Sequence, residues 1–360
     1  MKRLLCLLLL LPLFITTAYA DLAEELDVSA VETALPEQEK EISGELTLDG
    51  SYDGAGALSR LWSEFCRRSR EALAEERKDA VRIFAVAILA AVAAAVCPEK
   101  KTEDYIHLAA CALLALLLSD GVNGMIARAV EAIEQLSDYS KAALPAIFTA
   151  AAISGASVSA PARYGAVCLA LDVLMSISQR GIIPLIYLFL VLTISSSLFG
   201  HPILTGLLKI VKRAILMIMT VTTTVFTVYI GVTGIITAST DAAAVKTTKA
   251  VISTAFPVVG GILSDAAGSV LSAASVIKNA AGAFSLVAVS ALCLGPFALL
   301  LAKWLLFRLA AAASDMIPGG KIGFLLEQFG TVMAMLLGMV GAYGMMLFFS
   351  ITTAIRVVTP

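Results

Sequence analysis

Charge is scarce where a soluble domain would need it most. Lys, Arg, Asp and Glu make up 15% of the 360 residues while 59% are hydrophobic, whereas soluble domains are about a quarter charged. The shortage is local, because residues 105–360 hold only 23 charged side chains. So few charges cannot coat a water-soluble body of that length, which excludes a soluble enzyme, a disordered chain and a basic nucleic-acid-binding face. Histidine is scarcer still. His107 and His201 are the two present, and neither has a second His at metal-ligand spacing, so the pattern offers no zinc site. H-E-x-x-H and G-x-S-x-G are absent. Gly319-Gly320-Lys321 imitates a phosphate loop, but Asp315 stands where the upstream glycine belongs and Ile322 where Ser or Thr belongs. Catalytic, metal and cofactor-binding residues are therefore all read as none, and the chain as not an enzyme.

What remains is an all-α, polytopic helical membrane protein. Its first residues read as an export signal. Lys2 and Arg3 precede an apolar run from Leu4 to Ile15, and Ala18-Tyr19-Ala20 forms an A-x-A site ahead of Asp21. That run is shorter than the roughly 20 residues a spanning helix needs, so cleavage between Ala20 and Asp21 is expected, with the mature N-terminus on the exported side. Six cysteines suggest a disulfide framework, but Cys6 leaves with the signal and Cys97, Cys111, Cys168 and Cys293 sit in or beside apolar runs. Cys66 alone belongs to the exported segment and reads as a free thiol.

Four regions follow from the pattern. Residues 1–20 are the signal peptide. Residues 21–56 form an acidic exported arm, with eleven acids and one base between 21 and 53, too charged and too poor in apolar residues to pack. Residues 57–80 form an amphipathic juxtamembrane helix, with Leu58, Leu61, Trp62, Phe65, Ala72 and Leu73 at helical spacing against Arg67, Arg68, Arg70, Glu75 and Arg77. Two roles suit such a helix: lying on the bilayer with Trp62 at headgroup depth, which the pattern favours, or docking an exported partner.

Residues 81–360 are the membrane domain, with six to eight crossings. Val81–Cys97 and Ile106–Ser119 suggest a tight hairpin, Met125–Lys141 an interfacial amphipathic helix, and Ala142–Ala160 a span. Ile182–Phe199, Ala214–Ala238, Ala281–Ala302 and Phe324–Ala354 are further apolar runs, and Ala310–Gly323 reads as a loop. Lys303, Trp304 and Arg308 read as a basic and aromatic membrane border.

Residues 251–280 are the most informative stretch, a broken, re-entrant or interfacial element. Pro257, Gly260 and Gly261 interrupt a helix, and Ser264, Gly268 and Ser272 then repeat every four residues beside Asp265. Small residues at that spacing let membrane helices approach closely. Broken backbone at membrane depth needs protein or a water-filled cavity around it. Both a pore-facing element and an exported interfacial helix fit. Gly338, Gly341 and Gly344 supply a second close-packing face. Asp172 is a lone carboxylate in a weakly apolar segment, read as solvated or paired rather than as a proton path.

The block Ala255-Phe256-Pro257-Val258-Val259-Gly260-Gly261-Ile262-Leu263-Ser264-Asp265, with Ala238-Ser239-Thr240-Asp241 and Lys246-Thr247-Thr248-Lys249-Ala250 upstream, resembles the stage III sporulation protein AE family of endospore-forming bacteria. The resemblance covers most of the chain after residue 80. It implies a subunit of the channel between mother cell and forespore, placed in the mother-cell membrane around the forespore. Its implied partners are a separate cytoplasmic ATPase, small membrane subunits and exported ring-forming proteins, besides the lipid bilayer. No catalytic residue comes with it. A secondary transporter for a small solute and a pore-less membrane scaffold are the alternatives.

Overall fold

A computed structural model describes residues 28–44, 53–96, 100–154, 159–255, 260–314 and 321–356, with the side chains of 230–271 outside that description. Every element among the described residues is helical. The expected signal segment with Ala20 and Asp21, and Pro257, lie outside the described residues.

Two short helices come first, α1 (Val28–Thr33) and α2 (Glu37–Ser43). They lie in the stretch expected to be an unpacked acidic arm, yet Val31, Leu35 and Ile42 are buried. Three well-spaced apolar residues are enough to pin this part of the segment to the body despite its charge. Helix α3 (Gly54–Glu75) starts where the Asp53 carboxylate accepts the Gly56 N–H at 2.9 Å, a side-chain cap. At Glu76 the helix turns directly into α4 (Arg77–Val96).

Helix α5 (Lys100–Ile153) is 54 residues long, about 80 Å at 1.5 Å per residue. It joins three segments that the sequence separates: the second half of the hairpin, the amphipathic Met125–Lys141 and most of the Ala142–Ala160 span. The amphipathic stretch faces the protein interior. Ile126, Ala129, Ile133 and Leu136 are buried, while Arg128, Glu131, Glu134 and Asp138 are exposed. An apolar stripe that faces a core and one that faces a bilayer surface have the same period, so the pattern could not separate them.

Helix α6 (Ser159–Ile177) passes through a π-turn at Ser178–Ile182 into α7 (Ile183–Phe199). Gly200 closes α7 at φ 63°, a left-handed conformation that suits glycine. The chain then enters α8 (Pro202–Ala255) through Pro202, and His201 Nδ1 accepts the Ile203 N–H at 3.3 Å. His201 is thus a helix-start ligand. Helix α9 (Gly260–Ser314) and α10 (Lys321–Arg356) complete the body. Ala310–Ser314 continue α9 and Lys321 begins α10, so the expected loop Ala310–Gly323 is narrower than its composition suggests.

Helices α9 and α10 are antiparallel. Phe307 meets Phe329 at 5.7 Å between ring centroids, Phe297 lies against Gly341, and Cys293 against Gly344. One continuous core joins α4 to α10, with Phe284, Phe307, Phe329 and Tyr343 among its largest buried side chains. Four described segments, 104–153, 163–199, 274–314 and 321–355, are long and apolar enough to cross a bilayer.

Candidate functional site

The charge that the sequence concentrates before residue 80 is gathered onto α3 and its junction with α4. Glu76 and Asp79 lie three residues apart at the turn and so point the same way. Lys303 of α9 reaches between them, its Nζ 2.7 Å from Glu76 Oε2 and 2.5 Å from Asp79 Oδ2. Arg82 adds a contact to Asp79 Oδ1 at 3.2 Å, so two cations balance two carboxylates. The Lys303 side chain is only 4% exposed. Helix α5 approaches at Gly121, where a Cβ would lie 3.4 Å from Lys303 Nζ and 3.6 Å from Asp79 Oδ2. Burial pushes the Glu76 carboxyl above its ordinary range, and the Lys303 hydrogen bond only partly opposes it.

Two to three turns earlier the charges neutralise each other along α3. Glu64 takes two hydrogen bonds from Arg67 and one from Arg68, and Arg67 also reaches Glu71 at 2.7 Å. The Arg67 hydrogen bond, with help from Arg68 and against some burial, holds the Glu64 carboxyl at about 2. Arg68 extends to Glu39 of α2 at 3.5 Å, and Arg60 donates to the Ile42 carbonyl at 3.1 Å. These contacts fasten the acidic segment to α3. A cleft of about 840 Å3 opens here between α2, α3, α5 and α9, lined among others by Glu41, Arg60, Glu64, Arg67, Glu71 and Arg128. Its acids and bases alternate, so it carries no field of one sign.

The elements singled out from sequence lie elsewhere. Gly260 and Gly261 open α9, and Ser264, Asp265 and Gly268 lie on its first turns, with side chains outside the description; Ser272 is exposed. Gly338, Gly341 and Gly344 face other helices of the same chain. A Cβ on them would lie 3.1 Å from Met219 Cε, 3.0 Å from Phe297 Cζ and 2.7 Å from Cys293 Sγ, respectively. Asp172 is on an exposed face of α6. Cys66, Cys111, Cys168 and Cys293 are free thiols. Among the described residues no three His, Cys, Asp or Glu side chains converge as a metal site would require.

Two lysines carry more than the sequence reading gave them. Lys303 is an interior ion-pair centre instead of a membrane border. The Glu76/Asp79 pair one helical turn apart hinted at a cation, but its partner is 227 residues away from Glu76. Lys278, also on α9, is fully buried, and its Nζ has no hydrogen-bond partner among the described residues. Nothing local in the sequence marks it.

A family model described as stage III sporulation protein AE matches residues 55–357, from the first turn of α3 to the residue after α10. The protein named Stage III sporulation protein AE from Bacillus subtilis (strain 168) is 25% identical over 243 residues, covering 68% of this chain and 61% of that relative. The chain thus spans less than two thirds of the relative's length. No solved structure matches significantly.

Proposed function

Because this chain belongs to the stage III sporulation protein AE family, we propose that it is a non-enzymatic membrane subunit of a channel or export-like complex linking mother cell and forespore. The observation that carries this reading is the extent of the family match, which takes in the whole helical body from α3 to α10. A body built on helix-to-helix packing, with four helices able to cross a bilayer, suits a membrane subunit that holds other proteins in place. In this reading the protein sits in the mother-cell membrane around the forespore, its mature N-terminus on the exported side. A separate cytoplasmic ATPase supplies energy, and exported ring-forming proteins continue the conduit. The segment 251–280 and the glycines of α10 are its candidate pore and packing elements.

The test is purification of the full chain in detergent from sporulating cells, with neighbours identified by mass spectrometry, alongside spore counts in a deletion strain. Co-recovery of the ATPase and ring-forming proteins, and loss of spores on deletion, are expected. A chain recovered alone together with normal spore yield would overturn the reading. One observation favours the transporter alternative. A buried ammonium inside a membrane helix is costly and often marks a solute or ion path, and Lys278 has no hydrogen-bond partner among the described residues.

A further inference from the structure

Helix α3 has three faces, and two of them are occupied. Ala57, Leu61 and Ala72 are buried, with Leu61 against Ala291 and Leu294 of α9. Glu64, Arg67 and Glu71 form the self-neutralised charged face. The third face is apolar and open. Leu58 is 67% exposed, Trp62 69% and Leu73 46%. Trp62 lies 6.1 Å from Phe65, and the two rings help wall a shallow groove of about 640 Å3 that reaches Leu294. Large exposed apolar groups clustered on one face mark an interaction surface.

The edge of this face identifies what it would receive. Among the described residues, exposed Arg70 donates only to the Cys66 carbonyl of α3 at 3.4 Å, and exposed Arg77, the first residue of α4, only to the Ala74 carbonyl of α3 at 3.2 Å. Neither meets a carboxylate among the described residues, although Arg67 and Arg68 do. The nearby acid Glu75 lines the cleft on the other side of the helix. The open face therefore combines an aromatic and aliphatic centre with an unneutralised basic rim. Trp and Arg are the side chains that most often dominate protein interfaces.

A bilayer surface does not suit it. Helix α3 advances together with α9: Leu61 lies by Leu294, Ala72 and Leu299 line one cleft, and Glu76 bonds Lys303. The two axes thus run side by side, and α9 is long and apolar enough to cross the membrane. A helix standing along such a neighbour does not lie flat among headgroups, and its charged face excludes hydrocarbon. A second copy docking with its α3 parallel to this one would bring Arg70 and Arg77 against their own equivalents, a like-charge contact.

We propose that the open face of α3 receives an amphipathic helix of a partner protein, its apolar side on Leu58, Trp62 and Leu73 and its acidic edge on Arg70 and on Arg77 at the start of α4. From Leu58 to Leu73 the anchors span about 22 Å, four turns of a helix laid along them. The inference rests on the proposed function only in requiring an assembly with other proteins.

The test places p-benzoylphenylalanine at Trp62 of the full chain in sporulating cells and maps the photo-adduct by mass spectrometry. The expected adduct is one helix flanked by Asp or Glu. Its yield should fall about tenfold with Arg70→Glu plus Arg77→Glu, as losing two rim pairs implies, and fall less with Gln at both positions. Changing the acids of the captured helix to Lys should restore it in the Glu variant. Adducts only with phospholipid, adducts only with a second copy, no adduct, or a yield indifferent to the charge reversal would each overturn the proposal. Co-purification of the intact complex in any of those cases would leave the channel reading standing.

Discussion

Helix α9 carries two buried lysines 25 positions apart, and they are held in opposite ways. Lys303 lies between Glu76 and Asp79, with Arg82 completing a neutral set. Lys278 is fully buried with no partner for its Nζ among the described residues. Desolvation costs an ammonium several kcal/mol in either place. At Lys303 the carboxylates offset that cost and, in the same act, fasten the α3–α4 turn to the body. At Lys278 nothing among the described residues offsets it. The first lysine is therefore part of the architecture, while the second is a cost the fold carries.

Removing the paired lysine should produce the largest effect. Lys303→Met leaves the buried Glu76 carboxylate without its ammonium while Asp79 keeps Arg82, and uncompensated buried charge costs about 3–5 kcal/mol. Thermal unfolding in detergent should show a lowered midpoint, and protease should cut earliest near the freed α3–α4 turn. Glu76→Gln in the same background should recover part of the loss, because it removes the stranded charge. A Lys303→Met protein as stable as the parent would mean that the cluster does not hold α3–α4 in place.

Next in size is the glycine seam between α9 and α10. A Cβ at Gly344 would already lie 2.7 Å from Cys293 Sγ, so Gly344→Leu must push the two helices apart. Overpacking of this kind costs about 1–3 kcal/mol. Cys293→Ala should relieve part of it, and unfolding of the single and double variants would measure the coupling.

The two carboxylates of the charged region should respond to pH in opposite directions. Glu76 has its folded pKa raised by burial. Its protonation favours the fold, a contribution fully present below its ordinary 4.5 and lost as pH rises through the shifted value. Glu64 is held at about 2 by Arg67 and Arg68. Its contribution is present above 4.5 and lost as pH falls toward 2. Gln stands in for the protonated carboxyl, so the unfolding midpoints of Glu76→Gln and Glu64→Gln should both track the parent at low pH and part from it as pH rises toward 8, Glu76→Gln becoming relatively more stable and Glu64→Gln relatively less. Parallel profiles would contradict the assignment of the two environments.

The same contrast shows what was legible in the sequence. The helical membrane class followed from residues 105–360 because a chain so poor in charge has few other ways to fold. Helix α3 followed from the spacing of Leu58, Leu61, Phe65 and Ala72. The continuity of α5 did not, since Met125–Lys141 has the period of an interfacial helix as much as of a core-facing one. Val31, Leu35 and Ile42 were outweighed by the acids around them, because composition averages over the few contacts that decide packing. Lys303 looked like a membrane border because Trp304 and Arg308 follow it, and a partner 227 residues distant leaves no local trace. Family resemblance pointed to 251–280, whereas the side-chain geometry that can be argued in detail lies at the α3–α4 junction.

The smallest expected change in stability carries the sharpest functional reading. Lys278→Met replaces an ammonium with no hydrogen-bond partner among the described residues by an apolar chain of similar length, which removes a desolvation cost. The unfolding midpoint should hold or rise, the reverse of Lys303→Met on the same helix. Spore yield then separates two roles for one residue. Normal sporulation with a more stable protein makes Lys278 a cost without use. Lost sporulation in a stable, fully assembled protein, recovered by Lys278→Arg, would show that a positive charge is needed inside the helices, as a solute or ion path would require.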